Sequence, residues 1–193
     1  MSIHDFSSAV IASSGSLRHF GMTPSGDGDE VAMFMSSTAA LTVSYDRTLS
    51  HEVGIEIGRV GSSEIPFNLG EIFREYEIAA SSFFQTSDQK LAVDFVKQSL
   101  EQLVSHAAPV LRGDEAAFQR LSTRRNFEAR SYTTQMRLAS IRPRAEDAWR
   151  AHNYLEFARL MEPVAQDLAA TDLRKLSFAR SHVSSSEETG KEK

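Results

Sequence analysis

The chain has 193 residues, of which 41% are hydrophobic and none is cysteine. This length and apolar content suffice for one large domain or two small ones, and the missing thiols exclude disulfides and thiolate metal sites. A net charge of −5 argues against bulk attraction to nucleic acid or to anionic membranes. We find no pattern typical of a secretory leader or a membrane span, and therefore expect a cytoplasmic protein.

Charge and periodicity both change near residue 111. Residues 1–111 carry 14 acidic and 6 basic side chains, whereas residues 112–182 carry 9 acidic and 13 basic ones. Alternating apolar strands precede this point, and helical spacing follows it. We predict an α+β fold: a small four-stranded antiparallel sheet covered by helices (1–111), then a helical, arginine-rich part (112–183) and a disordered tail (184–193). The first two parts form either one domain or two.

The first part begins with a predicted amphipathic helix over residues 3–20. A loop containing Pro24, Gly26 and Gly28 follows. Short turn-like links then separate the strand candidates, which favours sequential antiparallel pairing. The four predicted strands cover residues 30–36, 41–45, 52–60 and 64–67.

Two helices are expected to cover this sheet. Asn68 is a good N-cap for a helix over residues 69–80, whose apolar residues lie on one face. Ser87 or Asp88 starts a longer helix that runs to about residue 107. Its core-facing stripe consists of Leu91, Phe95, Val96, Leu100, Leu103 and Val104.

The second part is predicted to be helical, with one ambiguous segment. Pro109 fits a short helical continuation, Gly113 a helix stop, and Asp114 the N-cap of a helix over residues 115–125. Residues 126–144 fit either a strand or a helix, and Pro143 should break whichever precedes it. Three further helices are predicted over residues 154–161, 164–169 and 173–182.

No motif in the chain predicts a cofactor or a metal. Residues 87–90 match the S-x-x-K pattern of serine β-lactamases, but they are explained by a helix cap. In the same way, Arg112-Gly113-Asp114 is explained by the end of one helix and the cap of the next. The acidic residues Asp27, Asp29 and Glu30 could attract a hard cation but lack the spacing of a calcium loop. The six histidines are scattered singly, and no phosphate-binding glycine motif occurs.

Arginines interleaved with aromatic residues form the candidate binding set. Guanidinium groups pair with carboxylates and phosphates and stack on aromatic rings. The arginines therefore either neutralise the acidic first part within the fold, bind an acidic protein surface, or bind nucleic acid, which the net negative charge disfavours. The candidate binding residues are Arg112, Arg120, Arg124, Arg125, Phe127, Arg130 and Tyr132. Arg137, Arg142 and Arg144 continue the same arginine-rich stretch.

Two resemblances can be stated. The run AEDAWRAHNYLEFARLMEPV resembles one helix-turn-helix unit of the tetratricopeptide type, with Ala148, Tyr154 and Ala158 near the usual packing positions. Because such arrays need at least about three repeats of ~34 residues, we predict an ordinary helical hairpin here. The order of VSYDRTLSHEVGIEIGRV, FNLGEIFR, VLRGD and LRKLSFAR resembles bacterial proteins of unassigned function, some encoded beside toxins as immunity or interaction partners.

These observations predict a protein-interaction module, immunity-like or regulatory, that binds another protein through its helical half. The partner is expected to be acidic, and a homo-oligomer stays open. One alternative is a small hydrolase or transferase with a site of scattered residues such as His51, Glu56, His106 and Arg112. A structural homodimer is another.

Overall fold

The computed structural model describes residues 5–189, without the side chains of residue 27 and of residues 184–189. The described residues fall into two compact units, divided between Arg125 and Asn126. The first unit combines a sheet with helices, and the second is helical, so the predicted α+β class is confirmed. Within the described residues, no helix is long and apolar enough to span a membrane.

The sheet of the first unit is an antiparallel meander of five strands in sequential order. Four of them lie near the four predicted strands. The additional strand is the first in the chain and occupies the segment around Pro24, which was predicted to be a loop. This edge strand contains proline and glycines and bulges between Pro24 and Gly26. A proline is tolerated there because an edge strand has one side that pairs with no neighbour. The strands are β1 (Thr23–Gly28), β2 (Val31–Met35), β3 (Ala39–Tyr45), β4 (Val53–Arg59) and β5 (Phe67–Asn68).

The first predicted helix is divided in the structure. Helix α1 (Phe6–Ser13) ends at Ser14, and a 3₁₀ helix follows over Gly15–Phe20. The Ser13 and Ser14 hydroxyls donate to the carbonyls of Val10 and Ile11, both at 2.9 Å. Such serine bonds compete with the helical backbone bonds, which explains the break.

Helix α2 (Leu69–Glu75) starts at the predicted Asn68 cap and ends earlier than residue 80. Glu77 has φ +53, and the Ile78 N–H donates to the Phe73 carbonyl at 2.9 Å. This bond across a left-handed residue is a Schellman helix end, which needs no glycine when the surrounding packing holds it. The buried face of α2 covers the sheet, as predicted, with Leu69, Ile72 and Phe73 in the core.

Helix α3 covers Gln89–His106. Its N-cap is Asp88, one of the two predicted starting residues, and the Asp88 carboxylate accepts hydrogen bonds from the first turn. Val96, Leu100 and Leu103 of the predicted stripe are buried, whereas Leu91 is 48% exposed. In the first turn of α3 the fully buried Ala92, next to Leu91, takes the core-facing position. The short helix α4 (Ala108–Leu111) contains Pro109, and Gly113 follows with φ +69, as a helix stop requires.

The largest departure from the sequence predictions is helix α5, which runs from Glu115 to Arg150 without interruption. It was expected to end near residue 125, and Pro143 was expected to break it. Leu138 and Ile141 before Pro143 and Ala145 after it pack into one core, which holds the helix together across the lost backbone bond. The start of α5 belongs to the first unit, because Phe118 and Leu121 lie in that unit's core.

The second unit adds α6 (Tyr154–Met161), a 3₁₀ helix (Glu162–Asp167) and α7 (Ala170–Thr189) to the C-terminal part of α5. The predicted helix over 154–161 is confirmed, whereas the one predicted over 164–169 is a 3₁₀ helix with Pro163 near its start. Helix α7 continues past Val183, into the predicted disordered tail, and residues 190–193 lie outside the described residues.

Candidate protein-binding site on the long helix

Three candidate binding arginines are engaged within the first unit. They lie in the first turns of α5, opposite the carboxylates of Glu71 and Glu75 on α2. The Arg120 and Arg124 side chains lie 3.3 and 3.6 Å from Glu75 oxygens. Arg125 donates from Nε and Nη2 to the two carboxylate oxygens of Glu71, at 2.5 and 2.8 Å. The pairing of arginines with the acidic first part, one of the sequence interpretations, is therefore realised at these three positions.

Arg125 is the most completely engaged of the three. Its Nη1 donates to the Ile65 carbonyl and its Nη2 to the Pro66 carbonyl, both at 2.8 Å. Its guanidinium carbon also lies 3.9 Å from the centre of the Phe67 ring. Four of the five guanidinium N–H donors of Arg125 are therefore engaged within the first unit, and one face of the group is covered by a ring.

The charges of Arg125 and Glu71 stabilise one another. Burial raises the pKa of Glu71, but hydrogen bonds from Arg125 and from the Asn68 N–H outweigh burial and hold it below its ordinary value of 4.5. The hydrogen bonds with Glu71 raise the pKa of Arg125 above its usual range. Glu71 also closes a capping box with Asn68, so the pair fixes the start of α2.

Arg112 is tied to the first unit as well. Its guanidinium carbon lies 5.7 Å from the centre of the Phe20 ring. Its carbonyl accepts a hydrogen bond of 2.8 Å from Thr38 Oγ1. Gly113 next to it leaves no room for a side chain, because a Cβ there would come within 2.6 Å of Thr38. This segment serves the packing of α4 and α5 against β3.

The remaining candidates, Phe127, Arg130 and Tyr132, lie on α5 in the second unit. Phe127 is 70% and Tyr132 65% exposed. The Arg130 side chain is exposed and makes no hydrogen bond or ion pair with the described residues, and the same holds for Arg137. The structure therefore divides the predicted binding set: four members are engaged in the first unit, and three are exposed in the second.

Around these residues α5 carries an exposed apolar row. Its members follow one another at spacings of three, four, three and four residues: Ala129, Tyr132, Met136, Ala139 and Pro143, all of them exposed. Such spacing keeps side chains on one face of a helix. Leu138, Ile141 and Ala145, which pack into the core, lie on the opposite face. The row extends over residues 129–143, or about 21 Å of helix.

An arginine row runs beside the apolar row at seven-residue intervals and consists of Arg130, Arg137 and Arg144. Thr133 and Ser140 lie between the two rows on the helix surface. Arg144 pairs with Glu156 at 3.3 Å but is itself 71% exposed. No acidic residue occurs in the sequence between Glu128 and Glu146, so this face of α5 is positively charged.

A shallow groove of about 410 Å³ adjoins the arginine row. It is lined by Ala129, Arg130, Thr133 and Thr134 of α5 together with Gln166 and Asp167 of the 3₁₀ helix. Most of the surface exposed in the groove is apolar, and its charged lining residues are Arg130 and Asp167. The groove borders the exposed face of α5.

One residue named for an enzymatic alternative, Glu56, lines an acidic groove with Glu30, Asp46 and Glu52. His51, His106 and Arg112 are not among the residues that line this groove. His51 lies in the β3–β4 turn with φ +54, and its Nδ1 is buried without a hydrogen-bond partner. Among the described residues, no three histidine or acidic side chains are placed to hold a metal.

Comparison of the chain with protein-family models, with curated proteins and with solved structures gave no match. The residues themselves must therefore carry the functional argument.

Sequence reasoning named Arg137 as part of the arginine-rich stretch but did not include it or Met136 among the candidate binding residues. Both residues fall in the segment whose type was left open. Only a continuous helix places Ala129, Tyr132 and Met136 on one face. The absence of acidic residues between positions 128 and 146 was visible in the sequence and could have pointed to this face.

Proposed function

We propose that this protein is an interaction module that binds another protein through the exposed face of α5 in its second unit. The observation that supports this proposal is the apolar row, with Tyr132 65% and Met136 55% exposed, beside Arg130 and Arg137, whose side chains make no ion pair with the described residues. Tyrosine, methionine and arginine are enriched in protein interfaces, and arginine and tyrosine are frequent among the residues that dominate binding energy.

The arginines of the first unit are not part of the proposed surface. Arg120, Arg124 and Arg125 already pair with α2. Withdrawing them to bind a partner would leave Glu71 and Glu75 without their cations. The contact residues are therefore Tyr132, Met136, Arg130 and Arg137. Phe127, at the helical position of Leu138 and Ala145, lies on the other side of α5 and is not part of this face.

A role as an immunity-like or regulatory partner stays a prediction, based on the resemblance in sequence. We expect the module to act in the cytoplasm, in agreement with its lack of cysteine. The partner would present acidic and apolar side chains to the arginine and apolar rows.

Affinity capture with matched charge reversals tests this proposal. The wild-type chain should capture a protein from the cells that produce it, and the Arg130→Glu/Arg137→Glu variant should retain at least tenfold less of it, because two attractive contacts become repulsive. The control variant is Arg159→Glu/Arg174→Glu, which reverses two exposed arginines elsewhere in the second unit. Circular dichroism of all three proteins verifies that they are folded.

Retention of the same protein by the α5 variant would contradict the proposed surface. A small molecule or nucleotide that stays with the wild-type chain through purification, in place of a protein, would favour the enzymatic alternative.

A further inference from the structure

We propose, building on the function proposed above, that the partner element is an amphipathic α-helix with acidic side chains along one edge, which lies lengthwise against the apolar row of α5. Three observations together lead to this partner: the apolar row, the adjacent Arg130 and Arg137 without ion pairs in the described part of the chain, and the lack of acidic residues in this stretch.

The spacing of the apolar row fits a helix better than a strand or a loop. Side chains at alternating intervals of three and four residues form the seam along which two helices pack at a shallow angle. The row of about 21 Å matches a helix of roughly four turns. Ala129 and Ala139 are small, so a partner helix can approach closely on both sides of Tyr132 and Met136.

The charge of the arginine row indicates acidic residues on the partner. Arg130 and Arg137 are spaced by two helical turns and lack partners in the described part of the chain. A helix with glutamates on the corresponding edge would place carboxylates within reach of both guanidinium groups. These contacts lie at the rim of the seam, where they govern association rate and specificity more than affinity.

The same charges disfavour a second copy of this chain as the occupant. Residues 129–145 contain four arginines and no acidic residue. Arg142 pairs with Asp172 and Arg144 with Glu156. Arg130 and Arg137 have no such counter-charge among the described residues and would repel their copies in a dimer through this face. The structure therefore favours a partner of complementary charge over self-association through α5.

A designed peptide tests the inference. The probe is a fluorescein-labelled helical peptide of 21 residues, with leucine at alternating three- and four-residue spacing and glutamate along both edges. Its controls are the same peptide with lysine in place of glutamate, and a scrambled peptide of identical composition. Binding to the full chain is measured by fluorescence anisotropy.

We expect the acidic helix to bind at least tenfold more tightly than the lysine and scrambled peptides. Tyr132→Ser/Met136→Ser should weaken it tenfold or more. Arg130→Glu/Arg137→Glu should reverse the preference in favour of the lysine peptide. The control variant Arg159→Glu/Arg174→Glu should keep the wild-type preference for the acidic helix.

Equal binding of the scrambled and ordered acidic peptides would overturn the inference, because it would show charge attraction without helical register. So would a wild-type dimer in light scattering that Tyr132→Ser/Met136→Ser dissociates. If the acidic helix fails to bind but capture of a cellular protein still depends on Arg130 and Arg137, the helical partner is wrong and the interaction surface stands. If both experiments fail, the proposed function fails with it.

Discussion

Arg125 shows how the surroundings of one residue decide between two roles that a sequence leaves open. In sequence, Arg125 and Arg130 are both arginines of the same basic stretch. In the structure, Arg125 meets Glu71, two carbonyls and the Phe67 ring, whereas Arg130 has no such partners in the described residues. The first stabilises the fold, and the second is available for recognition.

The Arg125–Glu71 pair should contribute measurably to stability. Arg125→Met should lower the free energy of unfolding by about 2 kcal/mol, since it removes charge-assisted hydrogen bonds from a partly buried carboxylate. A double-mutant cycle with Glu71→Gln, followed by urea denaturation, isolates the coupling between the two side chains. Arg130→Met is the matched control and should change stability by less than about 0.5 kcal/mol. Equal losses of unfolding free energy in Arg125→Met and Arg130→Met would contradict the stabilising role assigned to Arg125.

This pair also predicts a pH dependence. The pKa of Glu71 is lowered in the folded state, so its stabilising effect is complete above its ordinary value of 4.5 and is lost as the pH falls through the folded value. The difference in unfolding free energy between wild type and Glu71→Gln should therefore be constant near neutral pH and shrink below about pH 4.5. If this difference in unfolding free energy increased on acidification, it would contradict the stabilising role of the Arg125–Glu71 contact.

At the scale of elements, α5 carries the functional argument. Its C-terminal part has one face in the core of the second unit and the opposite face exposed. Pro143 lies on the exposed face, and packing on the other face keeps the helix continuous. A proline inside a helix removes a backbone hydrogen bond and crowds the preceding turn.

Pro143→Ala should therefore stabilise the protein. We expect a gain of about 2 kcal/mol, in which the restored backbone bond outweighs the greater freedom of the unfolded chain. The measurement is urea denaturation followed by circular dichroism. Gln135→Ala, at another exposed position of α5, serves as the control. A loss of stability in Pro143→Ala would mean that the proline shapes the helix rather than interrupting its bonding.

The sequence predicted elements wherever local chemistry decides the structure. Asn68 and Asp88 were recognised as caps, and Gly113 as a stop, because each acts on its own backbone neighbours. Two predictions at prolines were wrong: a loop at Pro24, which lies in an edge strand, and a helix break at Pro143. Pro24 is tolerated because its strand is at the edge of the sheet, and Pro143 because the opposite face of α5 packs into the core. Neither the place of a strand in the sheet nor the packing of a helix face is contained in a local sequence pattern.

The candidate site could be predicted only in part for the same reason. Phe127, Arg130 and Tyr132 were named from composition. Arg125 differs from Arg130 because it pairs with Glu71, which lies 54 positions before Arg125 in the chain. The apolar row became visible only once the segment from 126 to 144 was known to be helical.

At the scale of the whole molecule, charge is distributed unevenly between the two units. Residues 1–125 carry 16 acidic and 10 basic side chains, whereas residues 126–183 carry 7 acidic and 9 basic ones. If the proposed surface on α5 binds a partner, the net negative charge of the whole protein would limit general attraction to polyanions, and the arginines would act locally. Binding through α5 should therefore weaken as salt is raised, as expected for exposed charges.

Site-specific photo-crosslinking in the producing cells tests the central claim most directly. A benzoylphenylalanine in place of Tyr132 on α5 should form a covalent adduct with one protein. The same group in place of Leu155, which is 64% exposed on α6, should not. Adducts from position 155 with none from position 132, or the same adducts from both, would contradict the assignment of α5 as the recognition surface.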